Sequence, residues 1–452
     1  MRIDDLIRSA KEFETLKNIE EAVVYYKKAL EMFHAKDIDN RIFEVQIKLG
    51  EIYQIHGDMS NSLKYYKDSQ ETAQLLGNKI FQVDALNKLA EIYYLKGEID
   101  KGISYAHSID DLLKNTDYIE GKLEVSLYWM KIFYSRNEQY KARELGNEAI
   151  RLCGESHLLY KGRILNVLAS GFSNLVTDEE HLDFLEEALE CFNEVNSLRG
   201  QLSVLNNIGT IYTSKLQNYK KGLEFYFRLK DLSEQNDHLQ ANIYAYINIG
   251  STLLKCLEYD EAYRYFKEGL KKSETTDIKN LTFFLYINLI EANIKLCNYE
   301  EAFYYYDKAQ KDFKDYPNQG EAIIYYYRAV SKLLFEVNKL DEAKIFMEKA
   351  MDMLDSEGKM IKWSVGYLYE LIKVRAANSK EDIIKAVDAI RFILTKYINA
   401  DEILSMVYDA AFQLIAAGQS DLAFDFVNEY KHIESTHKVI KIKQSYFYNE
   451  KI

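Results

Sequence analysis

Apolar residues in this chain recur at i, i+3, i+4 and i+7 in segment after segment. That is the spacing of one face of an α-helix, not of a strand. The clearest stretch is Leu205-Asn206-Asn207-Ile208-Gly209-Thr210-Ile211-Tyr212. A short turn around Gln217-Asn218-Tyr219 follows, and then Lys221-Gly222-Leu223-Glu224-Phe225-Tyr226. Three segments rhyme with its first half: Lys48–Tyr53, Lys88–Tyr93 and Asn248–Leu253. The pattern predicts pairs of helices joined by short turns. One small position anchors each pair, held by Ala22, Ser62, Gly102, Ala142, Ala188, Gly222, Ala262, Ala302, Ala343, Ala386 and Ala423. The spacings are 40, 40, 40, 46, 34, 40, 40, 41, 43 and 37, a mean period of about 40. Self-similarity at such a period marks a solenoid.

Small residues mark where the two helices of a unit are expected to cross. Gly50, Ala90, Gly209 and Gly250 fall about twelve residues before the anchor, and Ala169 falls nineteen before Ala188. Glycine costs roughly 1 kcal/mol relative to alanine inside a helix, so its repeated use argues for a contact that needs the space. The aromatic three residues on (Tyr53, Tyr93, Phe172, Tyr212) is placed to fill the cleft beside it. A second small residue follows the anchor by seven: Ala29, Ser69, Ala149, Gly269, Ala309 and Ala350. It is expected to seat the first helix of the next unit.

Leu-Gly-x-x-Tyr in the first helix, Gly57-Asp58 or Gly97-Glu98 in the turn, and Ala-x-x-x-(Tyr/Phe)-x-x-Ala in the second together resemble the tetratricopeptide repeat. The resemblance covers roughly residues 3–433. It departs from the family in period, about 40 against 34, and in lacking the closing proline, since Pro317 is the one proline of the chain. Similar 40-residue variants occur in eukaryotic polarity adaptors, kinesin light chains and bacterial peptide-sensing regulators. The expected fold is all-α, a right-handed α-solenoid superhelix of about eleven helix-turn-helix repeats. Residues 1–433 would form one continuous solenoid, irregular near 160–195 and 365–395, and 434–452 a capping helix or tail. Bends are expected at the Thr177–His181 insertion, read as a solvated acidic loop, at Ala376–Lys380, or near Tyr316–Gly320.

Composition narrows the function. Net charge is −13 and the sequence pI about 5.3, without the basic face of a nucleic-acid binder. The basic stretch Lys431–Lys443 reads as favourable charge at a last helix C-terminus. Cys153, Cys191, Cys256 and Cys297 follow no metal spacing and read as reduced thiols of a cytoplasmic protein. The first residues do not form a signal peptide, and no apolar run is long enough to span a membrane. The 37 tyrosines, with abundant Ile, Lys and Asn, suggest an AT-rich bacterial genome.

Dinucleotide, phosphate-loop, zinc-protease and hydrolase-elbow motifs are all missing, so no catalytic residue, metal site or cofactor is expected. Binding would occupy the concave face, which the first helix of each repeat lines by resemblance. Asn207, Asn248 and Asn288 hold one such position in three successive repeats; Asn166 and Asn206 hold its neighbour. An asparagine side chain offers one acceptor and two donors. The resemblance implies that such a ladder hydrogen-bonds the backbone of an extended peptide. Asparagines that merely satisfy neighbouring helices are the alternative. Tyr244, Lys255, Lys295, Arg328, Lys332, Glu51 and Glu91 complete the predicted groove, with Ser173 beside them. Carboxylates lie early and cations late, so the ligand should be basic at one end and acidic at the other. The leading reading is a non-enzymatic bacterial regulator or sensor that binds a peptide. One alternative is the input region of a larger signalling protein, such as a cyclase, with its output domain absent. Another is a Rap-like quorum-sensing peptide receptor. Those carry a separate N-terminal helical region, for which a first repeat starting near residue 3 leaves no room. Tyr446-Phe447-Tyr448 would be covered by simple capping or by a homodimer through the C-terminal end.

Overall fold

The computed structural model of the chain describes residues 2–16, 18–33, 39–55, 58–114, 116–170, 177–274, 279–313, 321–354, 360–397 and 399–433. Among these it is built of helices alone and divides into two compact units, 1–236 and 237–452. The first holds α1 (Ile3–Thr15), α2 (Ile19–Met32), α3 (Asn40–Ile55), α4 (Met59–Leu75), α5 (Lys79–Leu95), α6 (Ile99–Leu113), α7 (Ile119–Ser135), α8 (Gln139–Cys153), α9 (Leu158–Ser170), α10 (Asp178–Glu194), α11 (Leu198–Thr210) and α12 (Tyr219–Gln235). The second holds α13 (Leu239–Lys255), α14 (Tyr259–Ser273), α15 (Lys279–Lys295), α16 (Tyr299–Phe313), α17 (Glu321–Glu336), α18 (Leu340–Asp352), α19 (Met360–Ala376), α20 (Lys380–Leu394), α21 (Ala400–Ala416) and α22 (Ser420–Glu429). Odd and even helices pair into hairpins, the solenoid architecture expected. The division falls between α12 and α13. The 434–452 tail, Ser173 and Tyr316–Gly320 lie outside the described residues.

Most hairpins cross at a small residue of the even helix. The fourth residue of most even helices is the anchor, and it is fully buried in Ala22, Ser62, Ala142, Ala262, Ala302, Ala343 and Ala423. Its partner twelve residues earlier meets it backbone to side chain. Ser62 Oγ donates to the Gly50 carbonyl at 2.8 Å. In the ninth hairpin the roles reverse, and Ser331 Oγ of the odd helix donates to the Ala343 carbonyl at 2.8 Å. Beside the crossing, the expected aromatic stacks on one from the even helix: Tyr53 on Tyr65, Tyr93 on Tyr105 and Tyr212 on Phe225, at 5.6–5.7 Å between centroids. The second small position seats the next hairpin as expected. A Cβ on Gly269 would lie 3.1 Å from Leu285 of α15.

The turns share one construction. A residue with positive φ ends the odd helix, and the next N–H reaches back five residues. Glu98, Glu138 and Glu258 donate to Tyr93, Phe133 and Leu253 carbonyls at 2.8–3.0 Å. Glycine holds the positive-φ position at Gly97, while Gln217, Leu257 and Cys297 hold it elsewhere with the strain of a side chain.

The anchor spacing is regular across residues 142–222 and 343–423 once the helix starts are placed. α10 begins at Asp178 and α20 at Lys380, so their fourth residues are His181 and Ile383. With these as anchors the spacings of 46, 34, 43 and 37 become 39, 41, 40 and 40. Ala188 is instead the second small position, seven residues beyond His181. The sequence reading placed the anchor on the nearest alanine, although Ala169 lies twelve residues before His181. Thr177–His181 is likewise no loop: Thr177 and Glu180 form a capping box that opens α10. Ser379 caps α20 directly after the Ala376 helix end. One real irregularity remains. Residues Ile211–Lys215 continue α11 as a π-helical turn, the extra residue that puts Gly222 thirteen rather than twelve after Gly209.

Two substitutions test the crossing and the turn. A Cβ on Gly102 would collide with the Tyr128 hydroxyl and stand 3.0 Å from the Ala90 carbonyl oxygen. Gly102→Val is expected to cost about 1–3 kcal/mol in urea unfolding. Gln217→Gly, at φ 52 and exposed, is expected to gain about 1 kcal/mol.

Candidate functional site

From α3 onward, odd helices touch one another from repeat to repeat within each unit, as α5 does α7 and α15 does α17, whereas no even-numbered pair packs comparably. The odd helices therefore line the tighter, inner side of each unit. The predicted groove residues sit on this wall, and a bond between neighbouring repeats recurs along it. The residue after the small position of one repeat meets a residue two or three before the small position of the next, 37 residues later. Lys88 Nζ lies 2.8 Å from Glu51. Asn207 Nδ2 donates to Ser170 Oγ at 3.0 Å. Ser251 Oγ donates to Asn288 Oδ1 at 3.4 Å, and Arg328 donates to Glu291. The sequence reading missed these rungs, although pairing residues at 37 rather than 40 would have found them.

In the first unit the structure brings Asn166, Asn206 and Asn207 together. Asn207 Nδ2 donates to Asn166 Oδ1 at 2.8 Å, and Asn166 Nδ2 donates to Ser203 Oγ at 3.0 Å. Asn206 approaches Asn207 Oδ1 only at 3.5 Å. The Asn207 donors are thus spent on the wall itself, and its oxygen is the more open end. In the second unit Asn288 donates to its own helix, at the Phe284 carbonyl, 2.8 Å away. Asn248 occupies the matching place on α13. Tyr244, Lys255 and Lys295 are exposed on α13 and α15.

Ion pairing mutes the expected segregation of sign. Glu51 meets Lys48 at 3.1 Å as well as Lys88, and Glu91 meets Lys131 at 3.7 Å. Arg328 pairs with Glu291, and Lys332 with Glu336 at 3.7 Å. Burial alone would lower the Lys88 ammonium, but the carboxylates of Glu51, Glu91 and Glu124 outweigh it and raise it. Arg163 is held the same way by a two-bond contact to Glu124 at 2.6 and 3.0 Å. Among the described residues no group of His, Cys, Asp and Glu is arranged to hold a metal, and no helix is long and apolar enough to cross a membrane. Burial pushes the Cys153 thiol up to about 11, the wrong direction for a nucleophile.

One titratable group stands apart from the wall. His181 is 0% exposed. Its Nδ1 lies 3.0 Å from the Lys215 ammonium, which the π turn carries and which also sits 3.3 Å from Asp178. Nε2 is buried without a hydrogen bond. Burial and then Lys215 push this imidazole below its ordinary value, against Asp178 and Glu180; Arg143 of α8 adds to the lowering. An unfolded histidine takes up its proton near pH 6.5, and His181 resists doing so. The unfolded state then binds more protons, so the stability this site supplies is complete above that pH and is lost as pH falls toward the lowered folded value. Wild type is expected to lose more urea stability than His181→Asn between about pH 7 and pH 5; parallel losses would contradict this.

Known proteins bear on the same features. A family model described as tetratricopeptide repeat matches residues 6–33, the α1–α2 hairpin. A TPR repeat-containing protein of Methanocaldococcus jannaschii is 23% identical, the match covering 60% of this chain and 53% of that protein. The chain thus spans about half the length of this curated relative. The crystal structure of a Rap protein complexed with competence and sporulation factor is similar over 80% of this chain and 99% of that one, with TM-score 0.53 and 12% identity. A signal transduction ATPase with a tetratricopeptide repeat sensor, from Pyrococcus horikoshii, is similar over 83% of this chain and 66% of that one, with TM-score 0.49 and 15% identity. At such identities the likeness to solved structures is one of fold.

Proposed function

We propose that this chain, which is a tetratricopeptide-repeat protein, is a non-enzymatic scaffold that holds an extended peptide or protein segment along its inner wall. The observation that carries this reading is the row of half-exposed polar side chains on successive odd helices. These chains are stitched to one another by single hydrogen bonds that a bound backbone can match. Asn207 Oδ1 is the acceptor best placed for a peptide N–H, since both donors of its amide are engaged. The Rap protein of similar fold was solved with competence and sporulation factor, which supports reading the present chain as a receptor or regulator in a bacterial cytoplasm. A second reading is favoured by the length comparison. A chain matching 53% of its curated relative suits the input region of a larger signalling protein.

The test is capture of segments on the immobilised chain from the source cell, then calorimetry of a recovered segment. Asn207→Ala and Asn288→Ala are each expected to weaken binding about fivefold, the worth of one net hydrogen bond, with helical content unchanged. Undiminished affinity in both variants would move the contact off the inner wall.

A further inference from the structure

We infer that a cleft between α1, α3 and α5 binds an apolar carboxylate, an aromatic or medium-chain aliphatic acid taken up as a free small molecule. The cleft opens where the wall fails to close. Later rungs join an acid to a base or an amide to a hydroxyl across 37 residues. At the first step the same two positions are Lys11 and Lys48, also 37 apart. Two ammonium groups repel and cannot form the rung. Consistent with this, α1 and α3 do not pack as later odd helices do.

What remains is a cleft of about 350 Å³ lined by both lysines, at the small end of the range for specific ligands. Its floor is apolar: Ile7, Ile47, and the rings of Phe43 and Phe81 stacked at 4.2 Å. Tyr26 also lines it, 1% exposed, with a hydroxyl that makes no hydrogen bond. Burial, then the nearby Glu14 carboxylate, keeps that phenol protonated, with Glu14 the acceptor closest to it within the chain. The carboxylates around the cleft do not all oppose an incoming anion equally. Glu51 is shared by Lys48 and Lys88, and Asp84 accepts a 2.6 Å hydrogen bond from Tyr118. Glu44 is exposed at the rim. Lys11 has no ion pair among the described residues. An apolar slot with one uncommitted ammonium and a second shared one asks for an acceptor carrying negative charge on an apolar body.

Calorimetry on the full chain tests this with hydrocinnamate and octanoate as probes. Hydrocinnamyl alcohol, octylamine and a blocked tripeptide ending in a free phenylalanine carboxylate are the comparisons. The acids are expected to bind at least about tenfold more tightly than the alcohol and the amine. Lys11→Gln should weaken the acids about tenfold, and Ile47→Trp should fill the slot and abolish binding. Lys11→Glu carries the sharpest expectation: it completes the rung to Lys48, so Tm should rise while acid binding is lost. Absence of acid binding to wild type would overturn the inference. So would equal binding of the alcohol or amine, affinity unmoved by Lys11→Gln, or binding of the tripeptide alone. None of these probes reports on the asparagine-bearing wall, so failure here leaves the peptide reading standing.

Discussion

The close crossing of the two helices in each hairpin is the contact on which the rest depends. A carbonyl of one helix packs against the fourth residue of the other, and only a small side chain or a short donor fits without displacing the backbone. Ser62 on Gly50 and Ser331 on Ala343 show the contact made from either side by the same 2.8 Å hydrogen bond. Once the crossing is fixed, the aromatic three residues on has a defined partner, and the second small position presents a flat surface to the next hairpin. Period follows from geometry: each repeat must return the chain to an equivalent crossing about 40 residues later. A sequence that keeps this register eleven times needs neither a proline nor a fixed turn residue to hold it.

The two hairpins that break the size rule keep the register. His181 and Ile383 stand at crossings where the others have alanine, glycine or serine. His181 turns its ring toward Lys215 of the following repeat, and that lysine is delivered by the π turn. An extra residue in one helix and an oversized anchor in the previous one are therefore a matched pair. The cost is a buried imidazole with one nitrogen unsatisfied, which is the kind of group that makes one junction answer to acid while its neighbours do not.

Period, helix pairing and crossing contact were legible in the sequence because they rest on residue size and spacing, which are local. Gly50, Gly209 and Gly250 announce themselves. His181 and Ile383 did not, because a search for small anchors moves to the nearest alanine, Ala188 or Ala386. The groove residues were legible as positions but not as chemistry. The hydrogen bonds of Asn207 to Asn166 and Ser170 depend on the offset between successive helices, and one repeat read alone carries no such offset. The same holds for Glu51 and Arg328, whose charges look segregated along the chain and are paired in space.

That offset gives the inner wall its functional character. Each rung is a single hydrogen bond or ion pair on a partly solvated face, worth on the order of 1 kcal/mol or less, so the wall is closed by contacts that a ligand can replace one for one. A peptide backbone offers an N–H and a carbonyl at each residue and can take over an asparagine or serine rung with little net loss. An ionic rung such as Glu51–Lys88 is harder to replace, because removing one partner leaves the other half-buried and unpaired. On the proposed reading, the amide and hydroxyl rungs of Asn166, Asn207 and Asn288 would be the exchangeable part of the wall, and the ionic rungs the part that holds neighbouring helices in place.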